Sequence, residues 1–242
     1  MSGEAELAGQ TVLVIGGSSG IGLETARRAR KAGADVIITA RNPNRVQRVG
    51  RELGASIAAF DATDFDRLER FFHHLPPIDH ALVSGPSPFD APLAELDVEE
   101  ARREVDAHVV LPLQVGRHAA GRVRAAGSLL FMSGAGGRHP GPGFAFSSAL
   151  TAALSAMTRN LALELAPIRV NVIAAGFVHT PRSAALLGDQ LDARRQQLRT
   201  TLPIRRIVGS SDVAALAVHL MTNTAVTGAT FDIDGGQQLI EK

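Results

Sequence analysis

The sequence predicts an α/β fold: a doubly wound, seven-stranded parallel sheet flanked by helices on both faces. Three observations predict it. Strand-like and helix-like segments alternate along all 242 residues. Most strand segments are continuous apolar runs, the pattern of a sheet covered on both faces. The first such run stops at a glycine-rich turn that opens directly into a helical pattern. No repeat, linker or low-complexity stretch interrupts the alternation, so a single domain over 1–242 is expected.

The first strand is Thr11–Ile15, ending at Gly16-Gly17. Gly17, Ser19, Gly20 and Ile21 form the turn into a helix over Ile21–Ala32. Free N–H groups and the helix dipole at such a turn favour an anion, and glycine lets the backbone approach it. A second strand over Asp35–Ala40 leads to Arg41 and a helix over Asn44–Leu53. Arg41 lies about 20 residues past the glycines, where an acid would hold the 2′-hydroxyl of NAD. An arginine there pairs with a 2′-phosphate instead, which predicts NADPH. The third strand, Ala55–Phe60, ends in Asp61-Ala62-Thr63-Asp64. Asp61 is a candidate for the adenine amine, with Ala62 beside it, and Thr63 or Asp64 is expected to cap the helix over Asp64–His74.

The fourth strand, Asp79–Ser84, ends in the small residues Ser84 and Gly85, where a cofactor ring can approach the backbone. A long helical pattern over Asp97–Arg124 contains Pro112, which predicts a kink there. The fifth strand, Gly127–Met132, leads through Ser133 into a glycine-rich loop holding His139, then a helix over Phe144–Ala166. A sixth strand, Arg169–Ile173, a helix over Ser211–Met221 and a seventh strand, Ala229–Ile233, complete the pattern. The one insertion, Thr180–Thr201, reads as a helical lid. Ligands in such sheets bind at the carboxyl ends of the strands, so the residues just past each strand are the candidates.

Composition narrows the function. A net charge of +1 gives no electrostatic footprint for nucleic acid or an anionic membrane. There is no cysteine, hence no thiolate nucleophile or metal site, and the histidines lack ligand spacing; no metal is expected. No run of 18 apolar residues exists and Met1–Gln10 has no signal-peptide pattern, so the expected location is cytoplasmic. The chain also has no tyrosine, and its lysines are Lys31 and Lys242, leaving arginine to supply 23 of the 25 basic residues.

Taken together, the motifs resemble the short-chain dehydrogenase/reductase family over nearly the whole length. Gly17–Gly22 is similar to its glycine motif, with Gly16 at the usual threonine. Leu161–Gly176, LALELAPIRVNVIAAG, is similar to its ELA-x-x-x-IRVN-x-x-x-PG stretch, and Asp232–Gly236 to its C-terminal turn. Ser84–Ser87 departs from the family's Asn-Asn-Ala-Gly. The resemblance implies a Rossmann-type dinucleotide domain, a homodimer or homotetramer, and nicotinamide contacts at Gly176, Val178 and Thr180. It also implies a catalytic Ser, a Tyr-x-x-x-Lys pair and an Asn in the fourth helix, and here the sequence breaks away. The tyrosine position falls on Ser147, the lysine position on Thr151, the serine position on Gly134 next to Ser133, and the asparagine position near His108.

Losing a positioned general acid lowers a rate by roughly 10²–10⁴-fold. Three replacements suggest themselves: a hydroxyl on the substrate beside its ketone, a water held by Ser133, Ser147 or Ser84, or His139 as donor. The first is preferred. Phe144, Phe146, Phe89, Phe177 and the Leu186–Leu198 region are candidates to line a pocket for a flat apolar substrate, core packing being the plain alternative. Triad-lacking family members occur in actinobacterial antibiotic pathways, among them a simocyclinone ketoreductase, and the Arg- and Ala-rich composition fits a high-GC bacterium. The expected function is therefore an NADPH-dependent ketoreductase acting on a small-molecule ketone, a polycyclic aromatic polyketide with a neighbouring hydroxyl. Two other readings stay open: an inactive NADP-binding sensor or partner subunit, and a different reaction such as elimination or isomerisation.

Overall fold

The structure is a computed structural model that describes residues 6–85, 88–135, 138 and 140–240, apart from the side chains of Arg182 and Leu186. In chain order it runs β1 (Thr11–Ile15), α1 (Gly20–Lys31), β2 (Asp35–Ala40), α2 (Pro43–Leu53), β3 (Ser56–Ala59), α3 (Phe65–His74) and β4 (Ile78–Val83). Then follow α4 (Val98–Val105), α5 (Leu111–Ala119), β5 (Val123–Gly134), α6 (Ala145–Glu164), β6 (Arg169–Ala175) and β7 (Val178–His179). The chain ends with α7 (Pro181–Leu187), α8 (Leu191–Thr201), β8 (Val208–Gly209), α9 (Ser210–Thr222) and β9 (Thr230–Ile233).

Seven strands form one sheet in the order β3-β2-β1-β4-β5-β6-β9, every pair parallel. Successive side chains of a strand leave on opposite faces. Val12 and Val14 accordingly enter a core with Ala26, Ala29, Val213 and Ala217 of α1 and α9. Leu13 and Ile15 enter a second core with Phe72, Val115, Leu154 and Leu161 of α3, α5 and α6. The apolar runs are continuous because both faces are covered. The order reverses between β1 and β4, and that switch opens a crevice at the carboxyl ends of the strands.

Three local features differ from expectation. The long fourth helix is α4 and α5 joined by a π-helical turn over Asp106–Val110, closed by the Leu111 N–H on the Asp106 carbonyl. Pro112 has no N–H to give to the His108 carbonyl and its ring crowds that group, so the helix widens in the turn before the proline. It ends at Ala119, and β5 starts at Val123 rather than Gly127, with Ala126 at φ 66° marking its irregular entry. The insertion after β6 is helical as expected, α7 and α8, but it is flanked by a separate two-stranded ladder in which Val178 pairs with Val208.

Helix ends follow local chemistry. Asn42 caps α2 by accepting from the Arg45 N–H at 2.9 Å, and Asp64, not Thr63, caps α3 by accepting from Arg67 at 3.1 Å. A buried Arg169 guanidinium donates to the Leu220, Met221 and Asn223 carbonyls, closing the end of α9. His80, buried in β4, sits 2.9 Å from Ser128 Oγ and 2.6 Å from Gln10 Oε1. Burial, then the nearby Arg169 charge, lower its pKa from 6.5 to about 4, so it is a neutral structural group.

Candidate active site

The crevice is a cleft of about 1330 Å³. Its first wall is backbone. Gly16 has φ +82°, and a Cβ there would lie 1.8 Å from the Ser84 carbonyl oxygen, so only glycine lets β1 and β4 end side by side. A Cβ on Gly17 would meet Ile38 at 2.7 Å, and one on Gly22 the Gly16 carbonyl at 2.4 Å, which holds the turn tight. Ser19, the residue ahead of α1, makes no side-chain cap, so the first N–H groups of the helix remain available to a ligand. Gly16, Ser18, Ser19, Gly20 and Ile21 line the cleft. Across it, Thr180 is the nearest neighbour of Gly20, 3.6 Å from the position a Cβ would take. These residues fit a dinucleotide: a backbone cradle at a helix N-terminus, left open by absent side chains.

The other expected cofactor residues fall on the same cleft. Arg41, Asp61, Ala62, Ser84, Gly85, Gly176, Val178 and Thr180 all line it, as does Arg45, which the sequence reading missed. Arg41 is 71% exposed and stands 3.9 Å from Asp61, a loose pair. Asp61 already accepts from the N–H and hydroxyl of Thr63. Thr180 caps α7 by accepting from the Ser183 N–H at 3.1 Å, so its hydroxyl also serves the start of that helix.

The reaction half divides the expected residues. Ser133, at the end of β5, lines the cleft with Thr151, the seventh residue of α6. Ser147 is buried and is not among the described residues lining the cleft; its hydroxyl donates to Asp90 at 2.5 Å. His139 lies outside the described residues. The Phe89 and Phe146 rings lie 5.5 Å apart with their planes tilted by 43°, and Phe89, Phe131 and Phe177 line the cleft with Leu111, Leu150 and Leu154. The sequence reading missed Asp90 and Glu104. The first had no signal, since 57 residues separate it from Ser147. The second had one, the i, i+4 spacing to His108.

Comparison with known proteins agrees with this geometry. A family profile described as "Enoyl-(Acyl carrier protein) reductase" matches residues 15–238. The short-chain dehydrogenase/reductase ATR9 of Stachybotrys chlorohalonatus is 30% identical over 250 residues, covering 95% of this chain and 97% of that one. The chain belongs to the short-chain dehydrogenase/reductase family. This oxidoreductase is also similar to two solved structures. The MalC reductase/Diels-Alderase of Malbranchea aurantiaca has a TM-score of 0.90 at 26% identity, over 98% of this chain and 99% of that one. BdcA, solved with NADPH, has a TM-score of 0.86 at 28% identity, over 95% of each chain. Within a family expected to use a tyrosine and a lysine, this member has no tyrosine at all and only Lys31 and Lys242, neither on α6. Among the described residues, no helix is long and apolar enough to cross a membrane.

Proposed function

We propose that this protein is an NADPH-dependent ketoreductase that turns a ketone into a secondary alcohol, acting on a polycyclic aromatic polyketide with a hydroxyl beside the ketone. The observation that carries the reading is the intact cradle: a glycine turn that a single Cβ would fill, with Arg41 and Arg45 at its adenosine end and Thr180 opposite. The bound nicotinamide supplies hydride.

The protein's own residues do the rest. The free N–H groups at the start of α1 hold the pyrophosphate. Arg41 and Arg45 take the 2′-phosphate. Phe89, Phe131 and Phe177 give a flat substrate an apolar wall and exclude water. Holding the ketone in place supplies much of the rate without any acid. With Ser147 committed to Asp90, protonation falls to the substrate's own hydroxyl or to a water near Ser133.

The test is a panel of hydroxyaryl ketones and their methyl ethers, mixed with protein and NADPH and followed by absorbance. Turnover with the free hydroxyl and its loss on methylation are expected. NADPH binding with no oxidation by any ketone would favour the sensor reading instead.

A further inference from the structure

At the position that the resemblance gives to the family's phenol, the cleft meets a carboxylate. Ser147 is buried and donates to Asp90 Oδ1 at 2.5 Å, and of the two it is Asp90 that lines the cleft. That distance is in the range for a hydroxyl on an ionised carboxylate. Among the described residues no cation pairs with Asp90 and no second donor reaches it. Its chain neighbours pin it at the start of α6. The Phe89 ring lies against that of Phe146, and the Ala91 N–H donates to the Gly143 carbonyl at 3.1 Å. A carboxylate held this way gives no proton; it accepts hydrogen bonds and attracts positive charge.

The lining around it suits a cation. Phe89, Phe131 and Phe177 present aromatic rings, whose faces attract organic cations. Besides Arg41, Arg45 and Asp61, the charged side chains of the cleft are Asp90, Glu100, Glu104 and Asp106 against Arg103 and Arg194. Four carboxylates thus face two guanidinium groups, and the acids stay in excess even with the His108 ring charged. Arg194 is also bonded to Gln197 of its own helix, at 2.8 Å.

We propose that the protein also reduces iminium cations, C=N⁺ groups on flat apolar molecules, with Asp90 holding their charge. This second activity rests on the hydride-donating cofactor of the proposed function and not on the ketone. Hydride on the carbon of a C=N⁺ bond sends the π pair onto nitrogen and leaves a neutral amine. The positive charge passes to the oxidised cofactor, and no proton enters or leaves. A ketone needs a proton that the phenol position of this chain does not hold; an iminium needs none. The substrate's charge is lost as hydride arrives, so Asp90 favours the bound cation over the transition state, and its effect lies in binding.

Full-length protein, NADPH and three probes of one bicyclic shape test this: N-methyl-dihydroisoquinolinium, the ketone α-tetralone, and α-tetralone with a hydroxyl beside its carbonyl. The iminium is expected to oxidise NADPH faster than the protein-free rate, with the neutral amine as product. D90N should raise its KM about fivefold or more and lower kcat much less, the mark of lost binding. Asparagine keeps an oxygen for the Ser147 hydroxyl, and unchanged NADPH affinity verifies folding. Calorimetry on cofactor-free protein reads the charge without turnover. The iminium should bind about fivefold or more tighter than α-tetralone, and D90N should remove that preference. No oxidation above the protein-free rate, an unchanged KM in D90N, or equal binding of iminium and α-tetralone each overturns iminium reduction. Turnover of the hydroxy ketone alone overturns it and leaves the ketoreductase reading standing. Turnover of the iminium alone does the reverse, and turnover of neither, in protein that binds NADPH, overturns both.

Discussion

Replacing Arg41 by alanine should separate the two nicotinamide cofactors. Arg41 follows β2, is 71% exposed and pairs with Asp61 only at 3.9 Å. A pair that exposed contributes little, so its loss leaves the fold unchanged. A 2′-phosphate carries up to about two negative charges at pH 7. Unit charges 4 Å apart attract by about 1 kcal/mol in bulk water. Removing Arg41 therefore costs NADPH roughly 2 kcal/mol, a Kd raised about thirtyfold. Arg45 and the N-terminus of α2 remain to hold part of the phosphate, so binding weakens without vanishing. NADH has a hydroxyl there and should change by no more than about twofold. Nicotinamide fluorescence titrations of both cofactors measure this, and the gap should narrow near 1 M salt, where the screening length is about 3 Å. Equal weakening of both cofactors, or none, would refute the assignment of the 2′-phosphate to this corner.

Three further outcomes follow from the buried framework. His80 is neutral in the fold with a pKa of about 4 against 6.5 unfolded, so the stability it contributes is full above pH 6.5 and lost as pH falls through about 4. The difference amounts to roughly 3 kcal/mol; urea titrations from pH 7 to 4 should show that acid branch flattened in H80Q. G16A forces a Cβ onto the Ser84 carbonyl at φ +82°, and should lower the melting temperature and weaken NADPH more than about tenfold. R169M strands three carbonyls at the end of α9, which should cost about 3 kcal/mol in chemical denaturation.

The fold was legible because burial on two faces writes itself into composition. β6, buried at all seven positions, reads as an apolar run broken only by Arg169 and Asn171, each of which has partners in the interior. The two-residue ladder of β7 and β8 has no periodicity to read. The break in the fourth helix was legible as an event but not as a form: Pro112 announces a disturbance, and the helix answers it with a π turn just before the proline rather than a kink at it. In the site, the glycine turn was legible since glycine marks where backbone crowds backbone, as at Gly16 against Ser84. Asp90 was not, since its partnership with Ser147 depends on how the segment after β4 folds over α6.

That difference in legibility has a physical cause. The cradle proposed for the dinucleotide is built from features the fold itself requires: the β1 and β4 ends cannot meet without Gly16, and α1 cannot start tightly without Gly22. Changing them damages the sheet as well as the site. Side chains of α6 and the end of β5 that line the cleft, Thr151 and Ser133, are not required by the sheet in this way. The resemblance puts Ser147 and Thr151 where the family has a phenol and an amine, on a helix whose Leu150, Leu154 and Leu161 are buried. Side chains that face the cleft can thus change while the glycine cradle stays fixed.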